Sequence, residues 1–383
     1  MERTAGSAVI DSTVHYDVAI LGGGAAGTAA AIELAKHKHS VAVLERSHYE
    51  NLRIGETVPP QATLWLDRLG VLDAFKAVPN REAPGLVSRW ESESTTTEPF
   101  CFNDYLHGWH LDRGHFDAML ADAADRAGAH VVRDGVIRSC GKSRDELWQV
   151  DVDVKNDRQK ILASWLIDAT GRNGWFIRRQ GVRPRSFDRL VGLLAYIGPR
   201  TSADLRLFVE ATPTGWWYSA PLPGERSLAA LMTDRDLIPH DERARKHFWE
   251  AEFAKTHLIS DLHDARAVEA SLKVVAANSS WAGTVAGSRW LAVGDAAMAH
   301  DPLFGLGICQ ALASGWNAAR AVIGFSRGNN QAILQYQAWA ESSYRNYMAL
   351  YTRIYNRVTR WPDAHFWKRR VSQMATNLRQ IAH

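Results

Sequence analysis

Nowhere in this sequence do roughly 18 apolar residues follow one another without a charge, so a membrane-spanning helix is not expected. Cysteine is scarce: Cys101, Cys140 and Cys309 are odd in number and far apart, which gives neither a disulfide framework nor a metal-ligand spacing. No metal is expected, and a reducing cytoplasm is the natural setting. An excess of either charge is also missing. With 45 basic and 42 acidic residues and a net charge of +3, nothing in the balance argues for a nucleic-acid partner. Met1 to His15 lacks a basic cluster followed by an apolar run, so no signal peptide is expected. Internal repeats and low-complexity tracts are absent too. A hydrophobic share of 46% over 383 residues leaves ample material for a core, in two domains or in one large α/β fold with an inserted lobe.

Tyr16 to Leu21 (YDVAIL) has the pattern of a short buried strand, Thr28 to Lys36 is alanine-rich and helix-favouring, and Val41 to Leu44 gives a second strand. Together they form a βαβ unit of about 30 residues, the unit on which dinucleotide-binding folds are built. A helical stretch is expected over Thr57 to Ala77, a helix over Phe116 to Ala127 and a strand over Val131 to Val136. Leu147 to Val154 with Ile161 to Ile167 is expected to form a hairpin. Strand-like runs such as Leu190 to Ile197 and a charged helix around Asp241 to Lys255 follow. Trp290 to Val293 reads as a last strand, Gly307 to Phe325 as a long apolar helix and Gln331 to Ala382 as a mostly helical tail. The resulting expectation is a nucleotide-binding lobe assembled from residues 16–80, 104–181 and 285–330. A substrate lobe from 81–103 and 182–284 is inserted in it, and a tail spans 331–383.

In the loop between first strand and first helix, Gly22 permits a tight turn, Gly24 lets the backbone approach a pyrophosphate and Gly27 allows close helix packing, with Ala26 beside it. The helix N-terminus then faces phosphate. Glu45, at the end of the second strand and followed by Arg46, is placed to accept hydrogen bonds from adenosine ribose hydroxyls. NAD and FAD both suit such a unit, and the choice between them rests on residues elsewhere.

Four motifs supply those residues: GGGAAG at Gly22 to Gly27, RIGE at Arg53 to Glu56, IDATGR at Ile167 to Arg172, and VGDAAMAHDPLFGLGI at Val293 to Ile308. With them the chain resembles the flavin-dependent aromatic hydroxylase superfamily, which includes p-hydroxybenzoate hydroxylase, tryptophan halogenases and geranylgeranyl reductases. The resemblance implies an α/β fold with a p-hydroxybenzoate hydroxylase-like, Rossmann-type FAD-binding lobe, an inserted β-sheet substrate lobe and a helical C-terminal tail. It makes Gly294 and Asp295 FAD ligands and brings the backbone of Gly305, Leu306, Gly307 and Ile308 under the flavin ring. Asp112, Arg113, Phe116, Asp117 and Leu120 resemble the family's DRxxFDxxL element, which makes Arg113 a cofactor ligand. The RIGE element places Arg53 and Glu56 beside the flavin.

The resemblance narrows the reaction without fixing it. Trp216 to Pro221 (WWYSAP) breaks the halogenases' WxWxIP pattern twice. Halogenases also carry a lysine about 30 residues past the RxGE glutamate, to engage hypohalous acid. Here that count reaches Leu86, and no lysine occurs from Ala77 to Gly141. The glycine pair of prenyl reductases is replaced after Gly224 by Glu225 and Arg226. The sequence is most similar to the branch that hydroxylates aromatic rings, including flavoproteins that mature tryptophan-derived quinone cofactors in glycine or lysine oxidases and amine dehydrogenases. Arg360 to Arg370 (RWPDAHFWKRR) resembles tails in that branch. The implied reaction is hydroxylation of an indole-type ring, free or within a partner polypeptide, through a flavin C4a-peroxide. Trp216, Tyr218 and Pro302 would line the substrate pocket, and Glu56, His110 and His300 would be the proton donors or acceptors, with Asp301 a further site residue. NAD(P)H or a separate flavin reductase would supply electrons. Alternatives are a halogenase, a prenyl reductase, or a flavin-bound maturation factor that holds a precursor protein without turnover.

Overall fold

The computed structural model describes residues 13–50, 53–155, 157–198, 200, 202–263 and 272–372. The chain opens with β1 (Thr13–Leu21), α1 (Ala25–Lys36) and β2 (Val41–Leu44). β1 and β2 run parallel, from Val18 beside Val41 to Leu21 beside Leu44. Helix α1 starts three residues before the expected Thr28, because extended Gly24 takes the N-cap position and frees Ala25 to begin the helix. Ala25 to Ala35 is buried all round, which small alanine side chains allow by letting neighbouring elements approach closely.

The single helical stretch expected over Thr57 to Ala77 is not what forms. Thr57–Val58 is a short strand, Pro59 and Pro60 follow without N–H groups, and the helices Ala62–Arg68 and Leu72–Ala77 are separated at Gly70, whose φ is +67°. The chain then crosses to a second sheet with β3 (Gly85–Arg89). It returns through β4 (Gly108–Leu111) and α2 (Arg113–Arg126), capped by the Asp112 carboxylate on the His115 N–H at 3.1 Å. The strand expected over Val131 to Val136 divides into β5 (His130–Val132) and β6 (Gly135–Lys142), because Asp134 turns the chain at φ +59°. β7 (Trp148–Val154) and β8 (Asp157–Asp168) form the expected hairpin, pairing from Trp148 with Ala163 to Val154 with Asp157.

The second sheet contains β9 (Leu190–Ile197), β10 (Leu207–Thr212), β11 (Gly215–Pro221), β12 (Ser227–Asp234) and, after α3 (Glu242–Phe253), β13 (Lys273–Ala276). Its order is β13, β9, β12, β11, β10, β3 and then Thr96–Pro99. Every residue of β9, β11 and β12 is buried, so both sheet faces are covered. Strand alternation divides them. Leu193, Trp217 and Leu231 pack with Trp249 and Phe253 of α3, while Leu194, Trp216, Tyr218 and Met232 belong to the main core.

The chain comes back to the first sheet with β14 (Trp290–Ala292), parallel to β8, and the order there is Ala286–Gly287, β14, β8, β1, β2, β5. α4 (Gly307–Ser326) lies against α1, where a Cβ on Gly315 would stand 2.1 Å from the Ala26 carbonyl oxygen. α5 (Ala332–Tyr355) and the helical residues 365–372 close the fold, and the last part of the expected tail, 373–383, lies outside the described residues. This tail is anchored in the second sheet. Trp367 Nε1 donates to the Thr212 carbonyl at 2.8 Å, and the fully buried Arg370 donates to Asp234 Oδ1 at 2.6 Å.

Candidate functional site

The site is built around the turn from β1 to α1. Gly22 holds φ +104°, and a Cβ there would lie 2.3 Å from the Ala169 carbonyl oxygen. A Cβ on Gly27 would lie 2.0 Å from the Gly22 oxygen, so only glycine lets the helix start fold over the strand ends. At Gly24 the corresponding direction is open, its nearest neighbour being Arg53 Nη1 at 3.8 Å. No side chain caps α1, so its N-terminal N–H groups and dipole suit a phosphate oxygen.

Beside this turn runs a web of charge. Glu45 is buried, with Oε2 accepting from the Gly23 N–H at 2.9 Å and Oε1 from Ser47 Oγ at 2.6 Å and Arg53 Nη2 at 3.0 Å. Arg53 Nη1 also donates to Asp117 Oδ2 at 3.0 Å, and Arg113 Nη2 reaches the same oxygen at 3.1 Å. Arg113 is further tied to the Ile54 carbonyl. Two cations thus share one fully buried carboxylate, which fixes the RIGE segment against the start of α2. Asp295 sits opposite, partly exposed to the cavity, with Arg172 Nε at 3.4 Å from Oδ2.

Glu56 is buried, and desolvation raises its carboxyl above the ordinary range even though Tyr196 Oη and the Gly55 N–H each donate to it at 3.0 Å. His300 is buried with neither ring nitrogen bonded among the described residues, and its ring stacks on Tyr347 at 4.0 Å. Burial, with help from Arg172, pushes it down to about 3, so the imidazole stays neutral. Asp301 is buried, accepts from Tyr355 Oη at 2.6 Å and from the Leu303 N–H at 2.8 Å, and is pushed up to about 7 by burial and by nearby Asp188.

One cavity of about 390 Å³ joins these groups. Gly24, Ala26, Arg53, Glu56 and Arg113 line it from the first half of the chain, Gly294, Asp295, His300, Pro302 and Gly305 from the second, and Gly307 and Ile308 from the start of α4. Trp216 and Tyr218 face it from β11, with Leu207, Val209 and Met232 from neighbouring strands. A Cβ on Gly307 would meet nothing within 4 Å, which leaves the N-terminal turn of α4 open on that side. Gly22, Gly27 and Glu45 stand behind the turn, supporting it, and Arg46 is exposed beyond β2; none of these four lines the cavity.

His110 does not reach the cavity. It is fully buried, Nδ1 is bonded to Thr57 Oγ1 at 2.9 Å and Nε2 to the Leu205 carbonyl at 2.8 Å, and burial pushes it down to about 4. Its two bonds join Thr57–Val58, β4 and the approach to β10, so of the three residues expected in proton exchange only Glu56 and His300 are brought to the cavity. Sequence reasoning missed Arg172, although the IDATGR motif contains it, and missed Tyr196, Val209 and Met232, for which strand alternation was the available signal.

An open helix start beside a glycine turn, a second open helix start under the far wall and paired arginines between them suit a molecule with a pyrophosphate at one end and a planar ring system at the other. Over residues 15–371 the sequence matches the FAD binding domain family. The chain belongs to that family. It is 32% identical over 361 residues to the protein named "Putative FAD-dependent oxidoreductase LodB" of Marinomonas mediterranea, covering 93% of this chain and 96% of that one. It is 24% identical to a 1H-pyrrole-2-carbonyl-[peptidyl-carrier protein] chlorinase of Pseudomonas fluorescens, over 89% of this chain and 83% of that one. Among solved structures, the flavin-dependent halogenase CmlS superposes with a TM-score of 0.81 at 23% identity, covering 97% of this chain and 71% of its own. The peptidyl tryptophan dihydroxylase QhpG, essential for tryptophylquinone cofactor biogenesis, superposes at 0.76 with 26% identity, covering 94% and 79%. The protein is an FAD-dependent oxidoreductase with the fold shared by flavin-dependent halogenases and hydroxylases.

Proposed function

We propose that this protein is a monooxygenase that hydroxylates an electron-rich aromatic ring of indole type, either as a small molecule or as a tryptophan side chain carried on a partner polypeptide. The observation that carries this reading is the wall of the cavity on the second-sheet side. Leu207, Val209, Trp216, Tyr218 and Met232 make it apolar and aromatic, and no lysine lines it among the described residues. At the position where the halogenase resemblance calls for a lysine, Leu86 is paired in register with cavity-lining Leu207. A carrier-borne or peptidyl substrate is supported by the likeness to two proteins, a peptidyl-carrier-protein chlorinase and a peptidyl tryptophan dihydroxylase.

Bound FAD, reduced by NAD(P)H or by a separate flavin reductase, would supply the oxygen-activating chemistry. Gly24, the α1 N-terminus, Arg53, Arg113 and Asp295 would hold it, with Gly305, Gly307 and Ile308 against its ring. The chain's own part is then to exclude water with the aromatic wall, to hold a proton on Glu56, whose carboxyl is raised by burial, and to offer the neutral His300 ring nitrogens to the cavity. The test is to supply indole and oxygen to the reduced FAD-loaded protein with and without chloride or bromide. A hydroxylated product formed equally with and without halide supports the reading. A halogenated product, or none that depends on oxygen, overturns it.

A further inference from the structure

The chain contains 15 tryptophans, and several stand in file between the cavity and the surface. Trp216 lines the cavity, and its Nε1–H donates to Tyr355 Oη at 2.9 Å. Tyr355 in turn donates to Asp301 Oδ2 at 2.6 Å. The Trp90 ring lies edge-on to Trp216 at 6.3 Å between centroids and to Tyr355 at 5.9 Å. Trp367 is 5.6 Å from Trp90 and 5.9 Å from Tyr355, and Trp361 follows at 6.2 Å, half-buried at the surface under the Arg360 guanidinium. The first four rings are all buried. Packing alone would be served by phenylalanine or leucine. A buried indole N–H, phenol and carboxyl bonded in series is costly to desolvate unless every member is satisfied, which this ordering achieves.

We propose that this file is an electron-transfer path that carries oxidising equivalents from the cavity to Trp361, sparing the cavity wall when oxygen chemistry misfires. A hydroxyl radical, the one-electron oxidant that partly reduced oxygen yields, takes one electron from Trp216 and leaves as hydroxide. Trp216 is refilled by an electron from Tyr355, whose proton passes to Asp301 Oδ2. Tyr355 is restored by an electron from Trp90 or Trp367 and the return of that proton. The electron deficit ends at Trp361, where a thiolate from solution gives up one electron and becomes a thiyl radical. Asp301, pushed to about 7 by burial and Asp188 with Arg370 opposing, is able to accept and return a proton near neutrality.

The test uses the FAD-loaded protein in air under blue light, where the excited bound flavin serves as the one-electron oxidant, followed by mass mapping of oxidised tryptophan and tyrosine. Oxidation is expected to collect on Trp361 and to be suppressed by added thiol. In Trp361→Phe it should move inward to Trp367, Trp90 and Trp216 with a severalfold rise, and Trp361→Tyr, which keeps an oxidisable ring, should return the surface position to its native share. FAD retention reports that both variants fold. The same distribution in native protein and Trp361→Phe, or oxidation confined to the cavity wall in both, overturns the proposal.

Discussion

Gly27 tolerates no side chain, because a Cβ would sit 2.0 Å from the Gly22 carbonyl and 3.1 Å from the Ala169 Cβ. Gly27→Ala should therefore displace the helix start from the strand ends and weaken FAD binding by about tenfold or more, equivalent to about 1.4 kcal/mol, measurable by fluorescence titration of the apoprotein. His110 makes a different kind of prediction. Its pKa is about 4 in the native protein against about 6.5 when unfolded, so between those values the unfolded chain takes up a proton that the native state refuses. Its contribution to stability is present above about pH 6.5 and is lost as pH falls towards 4. The raised carboxyls of Glu56, Asp188 and Asp301 act in the opposite direction, so the histidine is isolated by comparison with His110→Gln. Relative to that variant, the native protein should lose about 1.4 kcal/mol per pH unit across this window, read from urea midpoints.

Helix α4 does two jobs: its first turn lines the cavity, and further along it lies so close to α1 that a Cβ on Gly315 would touch the Ala26 carbonyl. Gly315→Val should force the two helices apart and cost about 1–3 kcal/mol by overpacking, with FAD affinity falling as well because both open helix starts move. Thermal unfolding with and without FAD checks both effects. Elements of this kind were legible in the sequence where their signal is local. The short buried-strand runs of β1 and β2, the glycine turn and the alanine-rich α1 between them indicated the βαβ unit, and the hairpin of β7 and β8 was plain from two apolar runs. The break in Thr57 to Ala77 was written in Pro59, Pro60 and Gly70, but the apolar spacing of Trp65, Leu66 and Leu69 masked it. What the sequence withheld is non-local. The parallel pairing of β3 with β10 joins residues more than a hundred positions apart, and Glu56 meets Tyr196 at |i−j| = 140. No local period encodes such pairings, since they are set by tertiary packing. Along β11, alternation sends Trp216 and Tyr218 towards the cavity and Trp217 towards α3.

At the scale of the whole molecule, the cavity is walled by strands of the second sheet and by the turns that follow strands of the first, with the start of α4 along one side, while α5 and the helical residues after it tie the second sheet to the first. The cavity has a polar, glycine-rich end and an apolar, aromatic end, which under the proposed function would take FAD and the aromatic substrate. The most direct test of the account is to mix the reduced, FAD-loaded protein with isotopically labelled oxygen in the presence of indole and, separately, of a tryptophan-containing peptide, and to weigh the products. Incorporation of oxygen from the labelled gas into the aromatic ring of either substrate is the predicted result. Full reoxidation of the flavin with no labelled oxygen in any product would contradict the account and leave a reductase or a non-turnover binding protein in its place.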